Sequence, residues 1–268
     1  MQNVHPAILA LVAGAFTFGM TAVGSAVTLL RRDPSQRLMD VLLGFSAGVM
    51  LAASYWSLLA PSVEISVGTS SFPWLAPAVG FAAGGIGLWG LDKIMPHAHL
   101  VVPGLPLEQE GLRTRWRRTT LLVLAITLHH IPEGIALGVA AGAVASAAPG
   151  TSMGATIALA LGLGVQNLPE GLAVSALLRR EGVSRGRAVY LGAMTGSVEP
   201  VAALFGAMLV GLSTALLPYG LAFAAGAMVF VVIEELVPEC QRGGHADAAV
   251  LAAIIGFTLM TVLDIALG

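Results

Sequence analysis

The sequence predicts an all-α, polytopic membrane protein with eight transmembrane helices, and three observations lead to that class. Only 10 % of the 268 residues are charged, 56 % are hydrophobic and the mean hydropathy is +0.86, whereas about a quarter of a soluble domain is charged. The apolar residues form continuous runs long enough for a helix to cross a bilayer, which takes about 20 residues. The basic residues lie only between alternate runs. This composition excludes a soluble enzyme, and a net charge of −2 without a basic region excludes a nucleic-acid-binding protein.

The apolar runs place the elements in order. We number them spans 1 to 8, and they cover residues about 6–30, 38–62, 73–95, 119–147, 153–178, 188–212, 219–239 and 247–267. The runs are continuous and do not alternate, which argues against a transmembrane barrel of strands. The longest connection, about 93–118, is too short for a further domain. We therefore expect one transmembrane domain over residues 1–268.

The basic residues orient these spans. They fall after spans 1, 3, 5 and 7, and they are Arg31, Arg32, Arg37, Lys93, Arg113, Arg115, Arg117, Arg118, Arg179, Arg180, Arg185, Arg187 and Arg242. Because cytoplasmic loops carry the excess of Lys and Arg, these loops are predicted to be cytoplasmic and both termini outside. The outer face then keeps Glu64 and Asp264 without a basic residue, and a weakly negative mouth favours cations.

Two pairs of segments resemble each other across the chain. FSAGVM at 45–50 in span 2 resembles FAAGAM at 223–228 in span 7, and HIPEGIA at 130–136 in span 4 resembles NLPEGLA at 167–173 in span 5. In each pair one span runs outward and the other inward. This pattern predicts inverted repeats, with a binding site near the middle of the membrane.

Ionisable and amide side chains lie in the middle of three spans, where burial in lipid is costly and function is the default interpretation. They are His129, His130 and Glu133 in span 4, Gln166, Asn167 and Glu170 in span 5, and Glu199 in span 6. Spacings of three and four residues put each set on one helix face. Pro132 and Pro169 each remove a helical hydrogen bond, and Gly134 and Gly171 allow close helix approach.

Crowded carboxylates in a low dielectric require a cation or protons to neutralise them. Imidazole, carboxylate and carbonyl oxygens suit a divalent transition metal, with zinc the commonest fit. Two half-sites that share Glu133 and Glu170 have enough donors for two ions. Met50, in the middle of span 2, is either a thioether donor or ordinary core packing.

A second group of polar residues lies nearer the membrane edges and either lines the route of an ion or is ordinary interfacial polarity. Its members are Ser57, Glu64, Asp92, His97, His99, Glu234 and Glu235.

HHIPEG and QNLPEG on spans 4 and 5, with GFSAGVMLAAS in span 2, resemble the ZIP (Zrt-/Irt-like) family of divalent metal transporters, most of all its bacterial branch. The resemblance is strongest from Leu121 to Glu239. It implies a helical bundle with inverted repeats of three spans around spans 4 and 5, usually a homodimer, in the lipid of the bacterial inner membrane. It also implies movement of zinc, and sometimes cadmium, iron or manganese, toward the cytoplasm, the metal being the transported substrate and no cofactor being needed.

The same resemblance implies a residue assignment. The first metal position takes Met50, His129, Glu133, Gln166 and Glu170, and the second takes His130, Asn167 and Glu199 with the shared glutamates. His97 and His99 fall in the loop where the family often places metal-receiving histidines. His130 stands where the motif often has Asn, and Asn167 where some members have Asp, so the second position is less negative here.

Two other functions remain open on the residues alone. A membrane-embedded metal-dependent hydrolase would also cluster His and Glu within spans, although the chain has no H-E-x-x-H pair with a further carboxylate ligand. A proton-coupled carrier of an organic solute would need a larger cavity, and the absence of Lys or Arg in the middle of a span argues against an anionic solute.

Overall fold

The computed structural model describes residues 5–30, 34–95, 97–98, 109–110 and 118–268. Its α-helices are α1 (Pro6–Ala26), α2 (Gln36–Ala53), α3 (Ala60–Thr69), α4 (Leu75–Ile94), α5 (Arg118–Ala145), α6 (Met153–Arg180), α7 (Arg185–Thr195), α8 (Val198–Leu212), α9 (Leu217–Val231), α10 (Val237–Arg242) and α11 (Ala246–Leu267). Two-residue strands, β1 (His97–Ala98) and β2 (Gln109–Glu110), pair antiparallel in the connection between spans 3 and 4.

Within the described residues, eight helical stretches are long and apolar enough to cross a membrane, so the prediction of eight spans is confirmed. Spans 1 to 8 run over Pro6–Leu29, Gln36–Thr69, Leu75–Ile94, Thr119–Ala145, Met153–Arg180, Arg185–Leu212, Thr214–Arg242 and Ala246–Leu267. The expected end of span 2 near residue 62 was wrong, because the helix continues through Pro61 as α3.

Spans 2 and 7 each accommodate an internal proline through a π-helical segment. Span 2 passes through a π-helical segment, Ser54–Leu59, before Pro61, and span 7 through another, Val232–Leu236, before Pro238. A π-helical turn shifts the hydrogen-bond pattern by one residue, so the missing proline N–H is accommodated without ending the helix. Both π-helical segments thus lie in spans 2 and 7, the two spans that also contain the similar sequences FSAGVM and FAAGAM.

The spans pack as two groups of four. In the first group, spans 1, 4, 5 and 6, α1 packs on α6 and α8, and α5 packs on α8. In the second group, spans 2, 3, 7 and 8, α2 packs on α11 and α4 packs on α9. These contacts join spans 1 and 5, 1 and 6, 4 and 6, 2 and 8, and 3 and 7. If span 1 is exchanged with 6, 2 with 7, 3 with 8 and 4 with 5, the same set of contacts results. This is the packing that inverted repeats require.

Two glycines of the repeated motifs bring the first group together, as their sequence positions predicted. A Cβ on Gly134 in span 4 would lie 2.6 Å from the Glu199 carbonyl oxygen of span 6. A Cβ on Gly171 in span 5 would lie 2.1 Å from the Thr21 carbonyl oxygen of span 1. These contacts need a residue without a side chain, and they bring spans 1 and 6 against the motifs.

A chain of polar side chains joins the two groups at the end of span 5. Arg180 donates to the Gln36 side-chain oxygen at 3.2 Å and to the Pro34 carbonyl at 3.0 Å. Gln36 donates to Asp40 at 2.8 Å, and the other carboxylate oxygen of Asp40 lies 2.9 Å from His245 Nδ1. Asp40 is fully buried, so these partners compensate the cost of burying its carboxylate.

Candidate metal site

The centre of the first group of spans contains a histidine whose ring orientation is fixed. His130 is fully buried, and its Nδ1 lies 2.8 Å from the Ile126 carbonyl oxygen. Because a carbonyl only accepts, Nδ1 carries the proton of the neutral ring and Nε2 presents a lone pair. A carbonyl hydrogen bond to one ring nitrogen commonly orients the other nitrogen toward a metal.

Glu199 reaches this lone pair from span 6 because that span is interrupted. Helix α7 ends at Thr195 and α8 begins at Val198, which puts Glu199 in the first turn of α8. A helix N-terminus favours a carboxylate there. Glu199 Oε1 lies 3.4 Å from His130 Nε2 and accepts a hydrogen bond from Asn167 Nδ2 at 2.9 Å. The break in span 6 therefore aims the carboxylate at span 4.

Glu133 completes a compact group of three. It is fully buried one turn after His130, and one ligand atom from each of His130, Glu133 and Glu199 lies within 4.8 Å of the others. Several buried acceptors here receive no hydrogen bond from the described residues: Glu133 Oε1 and Oε2, Gln166 Oε1 and Glu199 Oε2. Leaving a buried acceptor unsatisfied costs about 1–3 kcal/mol, and more when it is charged. A cation among these atoms would remove that cost.

The span 5 residues border the group of three. Glu170 Oε2 lies 4.0 Å from His130 Nε2. The Asn167 amide nitrogen donates a hydrogen bond to Glu199, and the Asn167 side-chain oxygen accepts one from the Gln166 amide. In this arrangement Asn167 acts as a hydrogen-bond donor that holds the Glu199 carboxylate in position. The Gln166 backbone carbonyl accepts from Ser46 Oγ of span 2 at 3.1 Å. That contact ties the polar turn before Pro169 to the second group of spans.

His129 contacts span 7 and joins the two groups of spans. Its Nε2 lies 2.7 Å from Glu235 Oε2 in span 7, at the π-helical segment. Met50 is fully buried and lies one turn after Ser46, on the helix that contacts Gln166. Of the expected first-position residues, His129 is thus paired with Glu235, and Met50 lies on the neighbouring helix of the second group.

The expected route residues are dispersed. Ser57 donates to Asp264 at 2.6 Å and lines a cavity of about 20 Å³, room for about one water. Glu64 is exposed, Asp92 is buried and Glu234 is half-buried. His97 is described only as a backbone partner of Glu110 in the two-stranded ladder, and His99 lies outside the described residues.

Span 1 contributes to the site, which the sequence reasoning missed. Thr21 Oγ1 lies 3.5 Å from His130 Nε2, and the Thr17 carbonyl oxygen is 3.4 Å from Asn167 Nδ2. Both threonines are fully buried, as is Ser25, whose hydroxyl donates to the Gly171 carbonyl. Their spacing, one polar residue every four from Thr17 to Ser25, was the available signal, because it marks a single helix face.

Comparisons with known proteins identify relatives of this chain. The sequence model of the family described as ZIP Zinc transporter matches residues 105–264. The chain is 38 % identical to zinc transporter ZIP11 of Homo sapiens over an alignment of 342 positions that covers all of both chains. It is 39 % identical to zinc transporter GufA of Myxococcus xanthus, over 96 % of this chain and 98 % of that protein. It is also 39 % identical to zinc transporter ZIPB of Bordetella bronchiseptica, over 97 % of this chain and 81 % of that protein.

These relatives are named as zinc transporters and not as enzymes, which disfavours the hydrolase. Together with the eight spans, they identify a multi-pass membrane protein. The family match covers more than half of the chain, and the chain belongs to the ZIP family of transporters, as its paired motifs had indicated.

Proposed function

We propose that this chain transports a divalent transition metal, with zinc preferred, through the cluster between spans 4, 5 and 6. One observation carries the proposal: one ligand atom from each of the buried residues His130, Glu133 and Glu199 lies within 4.8 Å of the others, and neither Glu133 oxygen receives a well-aligned hydrogen bond from the described residues. An imidazole with two carboxylates is a donor set that zinc prefers. The zinc transporters related to this chain support the same cargo.

The same site has the donors for two ions. Neither oxygen of Glu133 receives a well-aligned hydrogen bond from the described residues, so this carboxylate can bridge an ion beside His130 and Glu199 to another ion beside Gln166 and Glu170. The buried Gln166 oxygen, which has no partner among the described residues, supports the first position. Met50 and His129 would complete that position, and His129 would have to leave Glu235 to do so. Two bound zinc ions per chain in the loaded protein would be the expected stoichiometry.

Zinc moves toward the cytoplasm in this proposal, across a bacterial inner membrane and in a homodimer. The predicted outer side, opposite the basic loops, has the acidic residues Glu64 and Asp264, the latter hydrogen-bonded to Ser57, and no basic residue, so it would attract an entering cation. Cadmium, iron and manganese are further candidate cargoes. Cells that express the chain are expected to accumulate zinc, whereas an exporter would lower their zinc content.

Uptake into proteoliposomes with an enclosed zinc-sensitive dye tests the assignment. Glu133→Gln keeps the shape of the side chain and removes its charge, and we expect the initial rate to fall at least about 10-fold. The matched control is Asp247→Asn, which removes one negative charge from an exposed position at the start of α11 and should leave the rate unchanged.

Both variants must elute as monodisperse protein in detergent for the comparison to apply. A Glu133→Gln rate equal to that of wild type would show that the cluster does not carry the cargo. An equal loss in Glu133→Gln and Asp247→Asn would attribute the effect to total charge and would also contradict the assignment.

A further inference from the structure

We propose that Thr21 of span 1 supplies its hydroxyl oxygen to the metal position formed by His130 and Glu199, and that this oxygen tunes which ion binds there. The inference rests on the proposed function, because it assigns a further contact to the same cargo. The expected residues of this position lie on spans 4, 5 and 6, so Thr21 would extend it to span 1.

The distances around His130 support a coordination shell. His130 Nε2 lies 3.4 Å from Glu199 Oε1 and 3.5 Å from Thr21 Oγ1. In a tetrahedral zinc site with bonds of about 2.0–2.1 Å, neighbouring ligand atoms lie about 3.3–3.4 Å apart. Both separations are close to that edge length, whereas the 4.0 Å from His130 Nε2 to Glu170 Oε2 is longer. The Thr21 hydroxyl oxygen therefore lies about as far from His130 Nε2 as the Glu199 carboxylate oxygen does.

The oxygen atoms of Thr21 and Glu199 also border the same space. A Cβ added to Gly196 would lie 2.9 Å from Thr21 Oγ1 and 3.2 Å from Glu199 Oε1. Gly196 lies in the break between α7 and α8, where the chain turns toward Glu199. The break thus leaves room for a carboxylate and a hydroxyl to approach His130 together.

The hydroxyl proton has a partner away from His130. Thr21 Oγ1 lies 3.2 Å from the Thr17 carbonyl oxygen, one turn earlier in the helix, to which it donates. With its proton directed there, the oxygen keeps its lone pairs for the side that faces His130. The His130 lone pair, the Glu199 carboxylate and the Thr21 hydroxyl then face each other as three acceptors, an arrangement that a cation stabilises.

A neutral hydroxyl has a defined effect on selectivity. Oxygen ligands suit Mn²⁺, whereas imidazole suits zinc well. The loss of the Thr21 oxygen should therefore weaken the binding of Mn²⁺ more than that of Zn²⁺. A residue that only packed the helices would change both affinities alike.

The test measures equilibrium binding of Zn²⁺ and of Mn²⁺ to the purified full-length protein, together with the transport KM for each ion. Thr21→Val keeps the shape and removes the oxygen, and Thr21→Ser keeps the oxygen. The matched control is Thr28→Val, also in span 1, where a buried hydroxyl donates to the Ser25 carbonyl at 2.8 Å. If Thr21→Val does not yield monodisperse protein, Thr21→Ala replaces it.

We expect Thr21→Val to raise the Kd for Mn²⁺ at least about 10-fold, with a smaller rise for Zn²⁺. Thr21→Ser and Thr28→Val should stay near wild type. Wild-type affinities in Thr21→Val, or equal losses in Thr21→Val and Thr21→Ser, would overturn the role of the oxygen while leaving the proposed function intact. A wild-type protein that binds neither ion would overturn both.

Discussion

Replacing Gly171 by alanine should disable transport through steric displacement alone. The added Cβ would lie 2.1 Å from the Thr21 carbonyl oxygen of span 1, and ordinary contact begins near 3.4 Å. The difference requires spans 1 and 5 to separate by about 1.3 Å, since a backbone atom cannot move aside as the end of a flexible side chain can. Such overpacking costs about 1–3 kcal/mol, and it moves Thr21 and Thr17 away from His130 and Asn167.

A misplacement of about 1 Å at a reacting site can cost about 100-fold in rate. We therefore expect the initial rate of zinc uptake into proteoliposomes to fall about 10- to 100-fold in Gly171→Ala, with a lowered melting temperature in detergent. The matched control is Gly186→Ala in α7, where an added Cβ meets no heavy atom within 4 Å. A Gly171→Ala protein that transports like wild type and like Gly186→Ala would refute the reasoning.

Three further predictions address other contacts. Gly134→Ala, whose Cβ would lie 2.6 Å from the Glu199 carbonyl oxygen, should slow zinc uptake less than Gly171→Ala does, since its clash is smaller; a larger loss would contradict this ordering. Asp40→Ala leaves the partners of a buried carboxylate unpaired, and thermal melts should show a loss of about 1–3 kcal/mol that the exposed Asp247→Ala does not share. The effects of His129→Gln and Glu235→Gln on thermal stability without zinc should be non-additive, because His129 Nε2 and Glu235 Oε2 lie 2.7 Å apart; additive effects would show that this contact is not formed.

The spans, the related segments and the family followed from the sequence because each has a signal along the chain. Hydropathy runs of helical length gave eight spans, and the two Pro-Glu-Gly motifs marked spans 4 and 5. The cost of placing carboxylates in a membrane singled out Glu133 and Glu199, which the structure places within one compact group with His130.

The missed features depend on contacts between helices that are distant in the sequence. Thr21 reaches His130, more than a hundred residues away, only because Gly171 and its neighbours bring span 1 against span 5. The contact between His129 and Glu235 joins the two groups of spans in the same way. Helical periodicity indicates which residues share a face, but it does not indicate which helix that face meets.

Anomalous diffraction at the zinc absorption edge, from crystals of the full-length protein grown with Zn²⁺, tests the central claim most directly. The account predicts an anomalous peak bounded by the side chains of His130, Glu133 and Glu199, and loss of that peak in crystals of Glu133→Gln. A zinc peak elsewhere in the membrane region, with none among these three residues, would contradict it.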